Sequence, residues 1–210
     1  KTSYDIMDIS VKHFHQNLLS HKDALEYLNK RDLTIDTIKE FNIGFAKDDW
    51  RDLTDTLVQK GYKAKDIFDT GLSIQKNDTI NNPSAFLNNS NFYDRFRSRI
   101  MFPIANSSGQ TIGYTARIFE GNGQLKTIKN IDETGKYINS PQTSIYEKGK
   151  ILYGFNITKK YISQQNEAII VEGTMDFLSG YIKGHKNIVA SLGTALTIDQ
   201  LNLLKRLTSN

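Results

Sequence analysis

The sequence predicts an α+β amino-terminal part that leads into the start of an α/β domain with a parallel sheet. Residues 8–85 carry apolar side chains mostly at helical spacing, whereas residues 92–140 are rich in strand-forming residues. From residue 150 onward the predicted order is helix, strand, helix, strand, which is typical of a parallel βαβ unit. We therefore expect two domains, residues 1–149 and residues 150–210.

Short helices are predicted in the first part of the chain. Apolar spacing indicates them at residues 11–19, 24–29, 34–41 and 52–59. Asp23 and Thr34 are the expected N-caps of the second and third helices, because a short polar side chain can accept a backbone N–H. The Asn-rich segment 77–91 is expected to be a loop.

A β-hairpin is predicted in the middle of the chain. Residues 96–104 and 111–119 read as strands, and Asn106–Gly109 has the composition of a hairpin turn. A longer loop is expected at residues 120–135.

Three arginines, Arg95, Arg97 and Arg99, recur every second residue at the start of this hairpin. In a strand they would emerge on one face, where three guanidinium groups repel one another unless an anion lies opposite. Residues 94–150 contain nine basic and five acidic residues, a balance of +4 that equals the net charge of the whole chain. Because arginine suits bidentate contacts with phosphate, we expect a polyanion-binding face. A solvated strand face is the alternative.

Two acidic residues follow the apolar run at residues 168–171, which predicts a strand buried on both faces. Glu172 is placed at the carboxyl end of this strand, Gly173 is expected to permit a sharp turn, and Asp176 lies just inside the next helix. Two carboxylates at such an edge suit Mg²⁺, which leaves its other positions to water and phosphate. The alternative is a pair of acids stabilised by the helix dipole.

Other sequence features narrow the class of protein. The chain has no cysteine, which excludes disulfides and thiolate metal sites within it and fits a cytoplasmic protein. No apolar run approaches the roughly 20 residues that span a bilayer. The first residues lack a signal pattern and an initiator methionine, so we expect a piece of a longer chain. The turn at residues 191–194 could cradle phosphate, although a tight turn before a helix capped by Thr197 explains it equally well.

Together these motifs resemble the RNA-polymerase core of bacterial replicative DNA primases of the DnaG type. In chain order, the matching segments are residues 27–31, 41–46, 94–104, 113–117, 136–143, 148–154, 171–176 and 190–194. Together these segments, which include the arginine segment and Glu172-Gly-Thr-Met-Asp176, are highly specific, although each alone is not. The resemblance implies that the second domain is the first part of a Toprim fold with a truncated parallel sheet.

The resemblance also implies roles for particular residues. Glu172 matches the family's catalytic and metal-binding glutamate, with Mg²⁺ or Mn²⁺ as the cofactor, and Asp176 matches its companion acid. The positions that match the track for template strand and nucleotide phosphates are Arg95, Arg97, Arg99, Arg117, Lys136, Asn139 and Lys148. The implied partners are a single-stranded DNA template, ribonucleoside triphosphates and, through a downstream domain absent here, the replicative helicase, with no membrane.

The chain also departs from the family's pattern. It stops before the family's later Asp-x-Asp motif, and the zinc-binding domain expected upstream is absent. We therefore expect these 210 residues alone to make no primers. A noncatalytic Toprim relative that binds single-stranded nucleic acid is the main alternative, and another Toprim enzyme, such as a topoisomerase or nuclease, is the other.

Overall fold

The computed structural model describes residues 2–76, 88–121, 135–193 and 195–210. These residues form two compact units, Lys1–Pro103 with Gly113–Tyr146, and Ile104–Ile112 with Glu147–Asn210. The predicted loops at 77–91 and 120–135 lie largely outside the described residues. None of the described helices is long and apolar enough to cross a lipid bilayer.

The first unit contains five α-helices within the described residues. They are α1 (Thr2–Leu19), α2 (Lys22–Asn29), α3 (Ile35–Glu40), α4 (Asp52–Gln59) and α5 (Ala64–Asp69). Thr34 caps α3 as predicted. The prediction of Asp23 as the cap of α2 was wrong, because Nδ1 of His21 accepts the N–H of Ala24 at 3.2 Å and the helix begins before Asp23.

The main sheet, most of which belongs to the first unit, confirms the predicted hairpin. Its order is β1 (Gly44–Ala46), β4 (Arg99–Ala105), β5 (Thr111–Ile118) and β6 (Tyr137–Asn139). The β4–β5 turn is closed by the N–H of Asn106, which donates to the carbonyl of Gln110 at 2.9 Å. A separate antiparallel pair consists of β2 (Ser73–Gln75) and β3 (Phe92–Asp94).

The core of the first unit lies where α1 packs on β1 and the sheet. Ile6, Met7 and Phe14 supply the helix side of this core, and Tyr114 of β5 is fully buried beside them. The Tyr114 hydroxyl lies 2.7 Å from that of Ser10, so the buried polar group is hydrogen-bonded. The buried face of α1 therefore packs on the sheet and holds β5 in place.

The second unit confirms the predicted parallel βαβ arrangement. Strands β7 (Ile169–Val171) and β8 (Ile188–Ala190) pair in parallel, and helix α7 (Thr174–Ile182) connects them. The unit also contains α6 (Phe155–Gln165) and α8 (Ile198–Lys205). The prediction that β7 is buried on both faces was wrong, since Ile170 is 41% exposed. Helices α6 and α7 pack on β8, which is buried throughout, whereas every residue of β7 is at least partly exposed.

Candidate acidic site and nucleic-acid interface

The acidic site forms where β7 ends. Glu172 follows Val171 directly and is exposed, as the sequence predicted for the carboxyl end of this strand. Its backbone is held in place, because its carbonyl accepts the N–H of Gly193 at 3.0 Å and the carbonyl of Val171 accepts the N–H of Ser191 at 3.0 Å. The carboxylate therefore projects to solvent from a fixed strand end.

Asp176 lies in the first turn of α7 and is also exposed. The expected role of Gly173 in the turn was wrong, because its φ of −115° and ψ of 156° are ordinary extended values. A Cβ at Gly173 would instead lie 2.9 Å from Oδ2 of Asp176. The missing side chain thus leaves room for the Asp176 carboxylate over the turn that begins with Glu172.

The two carboxylates fit a divalent cation of the hard, oxygen-preferring kind. Mg²⁺ takes one or two protein carboxylates and fills the rest of its octahedron with water and phosphate. Across the parts of the chain that the structure describes, no group of three or more His, Cys, Asp or Glu side chains could hold a metal ion. Glu172 and Asp176 would therefore supply two ligands at most.

The expected strand face with three arginines was wrong. Only Arg99 belongs to a strand, because the chain turns at Ser98, whose φ of +47° is in the left-handed region. The N–H of Ser98 donates to the carbonyl of Lys47 at 3.1 Å, which holds this turn against a distant segment. The alternation that would align three side chains is interrupted before β4 begins.

Arg95 and Arg97 are half-buried and have different surroundings. Arg95 donates from Nε to the carbonyl of Gly71 at 2.9 Å. The Arg97 guanidinium lies 4.2 Å from the ring centroid of Trp50 and 5.3 Å from that of Tyr93, and its buried Nε has no hydrogen-bond partner among the described residues. Burial lowers the pKa of both arginines, and Arg97 combines a cation with an aromatic neighbour that is 47% exposed.

Arg99 is a buried cation, only 2% exposed, rather than a surface group. Its guanidinium donates to the carbonyl of Gly135 at 3.2 Å from both terminal nitrogens, and to those of Lys136 and Ala116 at 3.4 Å. Burial, with a further contribution from the neighbouring Arg97, lowers the pKa of Arg99 to about 10. Arg99 therefore fixes the chain that carries Lys136 to the strand that carries the next arginine, Arg117.

A cleft of about 470 Å³ lies at the ends of β5 and β6. The Arg117 guanidinium lies 5.6 Å from the ring centroid of Tyr27, and its Nη1 donates to the hydroxyl of Tyr137 at 3.1 Å. The Tyr27 hydroxyl and Nε of Arg117 are buried without a hydrogen-bond partner among the described residues. The lining consists of Tyr27, Arg117, Ile118, Phe119, Glu120, Gly121 and Lys136.

Two tyrosines without a predicted role, Tyr27 and Tyr137, contact Arg117. Tyr27 lies on α2, and the Arg31 guanidinium stacks on its ring at 4.7 Å from the centroid. Arg31 lies beyond the end of α2, so helical spacing in the sequence gives no signal for this contact. Tyr137, at the start of β6, is 37% exposed.

Asn139 and Lys148 complete the predicted binding residues. Asn139 pairs with Thr115 in the β5–β6 ladder, and its buried Oδ1 accepts no hydrogen bond from the described residues. Lys148 begins a 3₁₀ turn, Lys148–Lys150, in the second unit, where partial burial lowers its pKa. The remaining binding candidates belong to the first unit.

The exposed acids at the end of a strand in a βαβ unit, in the same chain as a cleft lined by cations and aromatic rings, are compatible with the class of proteins that contain a Toprim domain. The model of the DNA primase catalytic core, N-terminal domain, matches residues 13–159, and that of the Toprim domain matches residues 166–210. The chain belongs to the DNA primase catalytic core family.

Relatives of known sequence and structure agree with this family. The DNA primase of Clostridium acetobutylicum is 39% identical over 200 residues, covering 95% of this chain and 30% of the relative. The RNA polymerase domain of Mycobacterium tuberculosis primase DnaG matches with a TM-score of 0.82 at 27% identity, covering 99% of this chain and 62% of that one. A DnaG primase catalytic domain bound to ssDNA matches with a TM-score of 0.77 at 34% identity, covering 100% and 59%. The chain thus spans about a third of the curated primase that it matches.

Proposed function

We propose that the intact protein synthesises RNA primers from ribonucleoside triphosphates on a single-stranded DNA template. The observation that carries this proposal is the exposed pair Glu172 and Asp176 at the end of a parallel strand in a chain of the primase family. Phosphoryl transfer depends on positioning and on neutralising charge, and the chain contains carboxylates for metal ions and cations for phosphates.

Glu172 would hold Mg²⁺ or Mn²⁺ through its exposed carboxylate oxygens. The bound ion would neutralise phosphate charge and favour ionisation of the attacking 3′-hydroxyl. Glu172 would supply a ligand from the fixed strand end, and Asp176 would support it from the first turn of α7.

The first unit would bind the template strand at the cleft that Arg117 and Lys136 line with Tyr27. Proteins that hold single strands combine cations along the backbone with aromatic rings on which bases stack. Tyr137 and Trp50 are exposed aromatics next to Arg117 and Arg97, respectively, and provide that combination. Support also comes from the relative that is described as bound to ssDNA.

Glu172→Gln in the intact protein tests the catalytic assignment. We expect primer synthesis to fall by at least about 100-fold with Mg²⁺ present, because the neutral amide is a poor ligand for a hard cation. Affinity for a single-stranded oligonucleotide without Mg²⁺ should stay within about twofold of wild type. Glu167→Gln, an exposed residue on the same unit, is the matched control and should keep wild-type synthesis. Unchanged synthesis by Glu172→Gln would remove Glu172 from the mechanism.

A noncatalytic protein that binds single-stranded nucleic acid is the second candidate. It is favoured by the finding that no cluster of three or more potential metal ligands occurs in the described ranges. Strand binding without any Mg²⁺-dependent synthesis by the intact wild-type protein would support it. Binding of a replicative helicase, zinc in an upstream domain and a cytoplasmic location stay predictions.

A further inference from the structure

Two side chains of α8 tie this helix to the turn that contains Lys148. Nε2 of Gln200 donates to the carbonyl of Ile151 at 2.8 Å and to that of Lys148 at 3.4 Å. The Thr197 hydroxyl donates to the carbonyl of Gly149 at 2.5 Å. The carbonyls of the turn and of the residue that follows it are thus held by one short stretch of the chain.

The same two side chains also form the capping box of α8. Thr197 Oγ1 accepts the N–H of Gln200 at 3.1 Å, and Gln200 Oε1 accepts the N–H of Thr197 at 3.1 Å. Each side chain therefore bonds to the helix end and to the turn at once. Gln200 is 0% exposed, so its amide has no water to replace a lost bond and is held in one orientation.

This arrangement goes beyond an ordinary N-cap, which satisfies only the free N–H groups of its own helix. The turn follows Glu147 and carries two lysines, but its backbone is anchored through Lys148, Gly149 and Ile151. A lysine ammonium group can reach only the volume around its Cα that the side chain spans. The position of the Cα of Lys148 therefore limits which phosphates the ammonium group can reach.

We propose that Thr197 and Gln200 are positioning residues, which hold the Lys148 turn so that the Lys148 ammonium group meets a phosphate of the template strand or nucleotide. This inference rests on the proposed function for the phosphate contact itself. Partial burial lowers the pKa of Lys148 in this anchored turn, so a change in that pKa reports a change in the position of the lysine.

Gln200→Met tests the inference because it keeps a similar volume and removes both the donor and the acceptor. The expected result is a rise in the pKa of Lys148 toward the ordinary lysine value, measured by NMR of the protein with ¹³C-methylated lysines. The slope of log affinity for oligo(dT) against log salt should become shallower by about 0.7, the value for one lost phosphate contact on a single strand. Gln164→Met, on the exposed side of α6, is the matched control and should change neither.

Thr197→Val provides an independent test should Gln200→Met fail to fold, and Thr197→Ser should restore wild-type behaviour because it retains the hydroxyl. Lys148→Met should also make the slope shallower by about 0.7. Adding Gln200→Met to Lys148→Met should not make the slope any shallower. An unchanged pKa of Lys148 in Gln200→Met or, where only that variant folds, in Thr197→Val would overturn the inference. An unchanged slope in Lys148→Met would instead overturn the phosphate contact of the proposed function, while a shifted pKa would still support positioning.

Discussion

Asp94, at the end of β3, is 4% exposed and caps a helix that is distant in sequence. Its carboxylate accepts the N–H groups of Leu53 and Thr54, both at 2.8 Å, at the start of α4. The residue before that helix, Arg51, makes no side-chain cap. Asp94 thus satisfies free N–H groups that no neighbouring side chain caps. Because its own N–H donates to the carbonyl of Trp50, it also anchors the segment that leads to the arginines.

The ionisation of Asp94 should make the stability of the protein depend on pH. Burial raises its pKa to about 6 against the hydrogen bonds that favour its charged form. Asp94 therefore ionises at a lower pH in the unfolded chain than in the folded chain. The contribution of Asp94 to the free energy of unfolding is fully present below about pH 4 and is lost as the pH rises through about 6. Relative to Asp94→Asn, the wild type should lose about 2 kcal/mol of unfolding free energy between pH 4 and pH 7.

Chemical denaturation at a series of pH values measures this difference. Asp36→Asn, which changes an exposed aspartate in the first turn of α3, serves as the control and should leave the wild-type dependence intact. A constant difference between wild type and Asp94→Asn across this range would contradict the prediction.

Substitutions of Arg99 and Lys136 should distinguish a cation that stabilises the fold from a cation that binds DNA. Arg99→Met leaves the carbonyls of Gly135, Lys136 and Ala116 without their charged donor, so we expect a loss of about 2 to 4 kcal/mol in unfolding free energy. Lys136→Met changes an exposed side chain and should leave the free energy of unfolding within about 0.5 kcal/mol of wild type. It should make the slope of log affinity for oligo(dT) against log salt shallower by about 0.7. Denaturant unfolding and binding titrations measure the two effects, and a stable Arg99→Met protein would contradict the structural role.

At the scale of elements, the contact of α7 with the start of α6 depends on a glycine. Gly154, the N-cap residue of α6, has a φ of +81°, and a Cβ there would lie 2.1 Å from the ring of Phe177. Phe177 is fully buried in α7 and also lies edge-on to Tyr153 at 5.1 Å between ring centroids. The ring therefore has little freedom to move aside.

Gly154→Ala should therefore cost more than backbone strain alone. Gly184→Ala is the matched control, since Gly184 also has a positive φ, +101°, but nothing within 4 Å of its Cβ position. We expect a loss of about 1 kcal/mol for Gly184→Ala and of about 3 kcal/mol or more for Gly154→Ala. Equal losses of unfolding free energy in the two variants, measured by thermal or denaturant unfolding, would show that Phe177 can move away from a Cβ at residue 154 without destabilising the protein.

At the scale of the whole molecule, the distribution of cations predicts how strongly salt weakens DNA binding. Among the described residues, the predicted binding cations that are not fully buried and do not donate to a backbone carbonyl are Arg117, Lys136 and Lys148. Three phosphate contacts on a single strand give a slope of about −2 in log affinity against log salt. Titrations of oligo(dT) between about 50 and 200 mM salt measure it, and a slope shallower than about −1 would contradict phosphate binding as the main attraction.

Much of the second unit could be predicted from the sequence. Apolar periodicity predicted β7, α7 and β8 in their order, and this placed Glu172 at a strand end and Asp176 in the following helix. Thr197 was correctly identified as a cap, since a cap depends on residues three positions apart. These features follow from interactions between neighbours along the chain.

The arginine segment shows where prediction from the sequence failed. An every-second-residue pattern indicates one strand face only while the backbone stays extended, and the turn at Ser98 is held by Lys47, some fifty residues away. The partners of Arg95 and Arg97, Gly71 and Trp50, are also distant in sequence. Burial and hydrogen-bond partners of this kind have no local signal.

The sequence by itself determined the elements, the strand-end acids and the family resemblance, because local spacing and side-chain chemistry carry them. Only the tertiary structure decided which cations are buried supports and which line a cleft, and it brought Tyr27 beside Arg117. It also revealed the second role of Gln200. The physical reason is that desolvation and hydrogen bonding depend on which distant segments pack together, and that choice belongs to the folded chain as a whole.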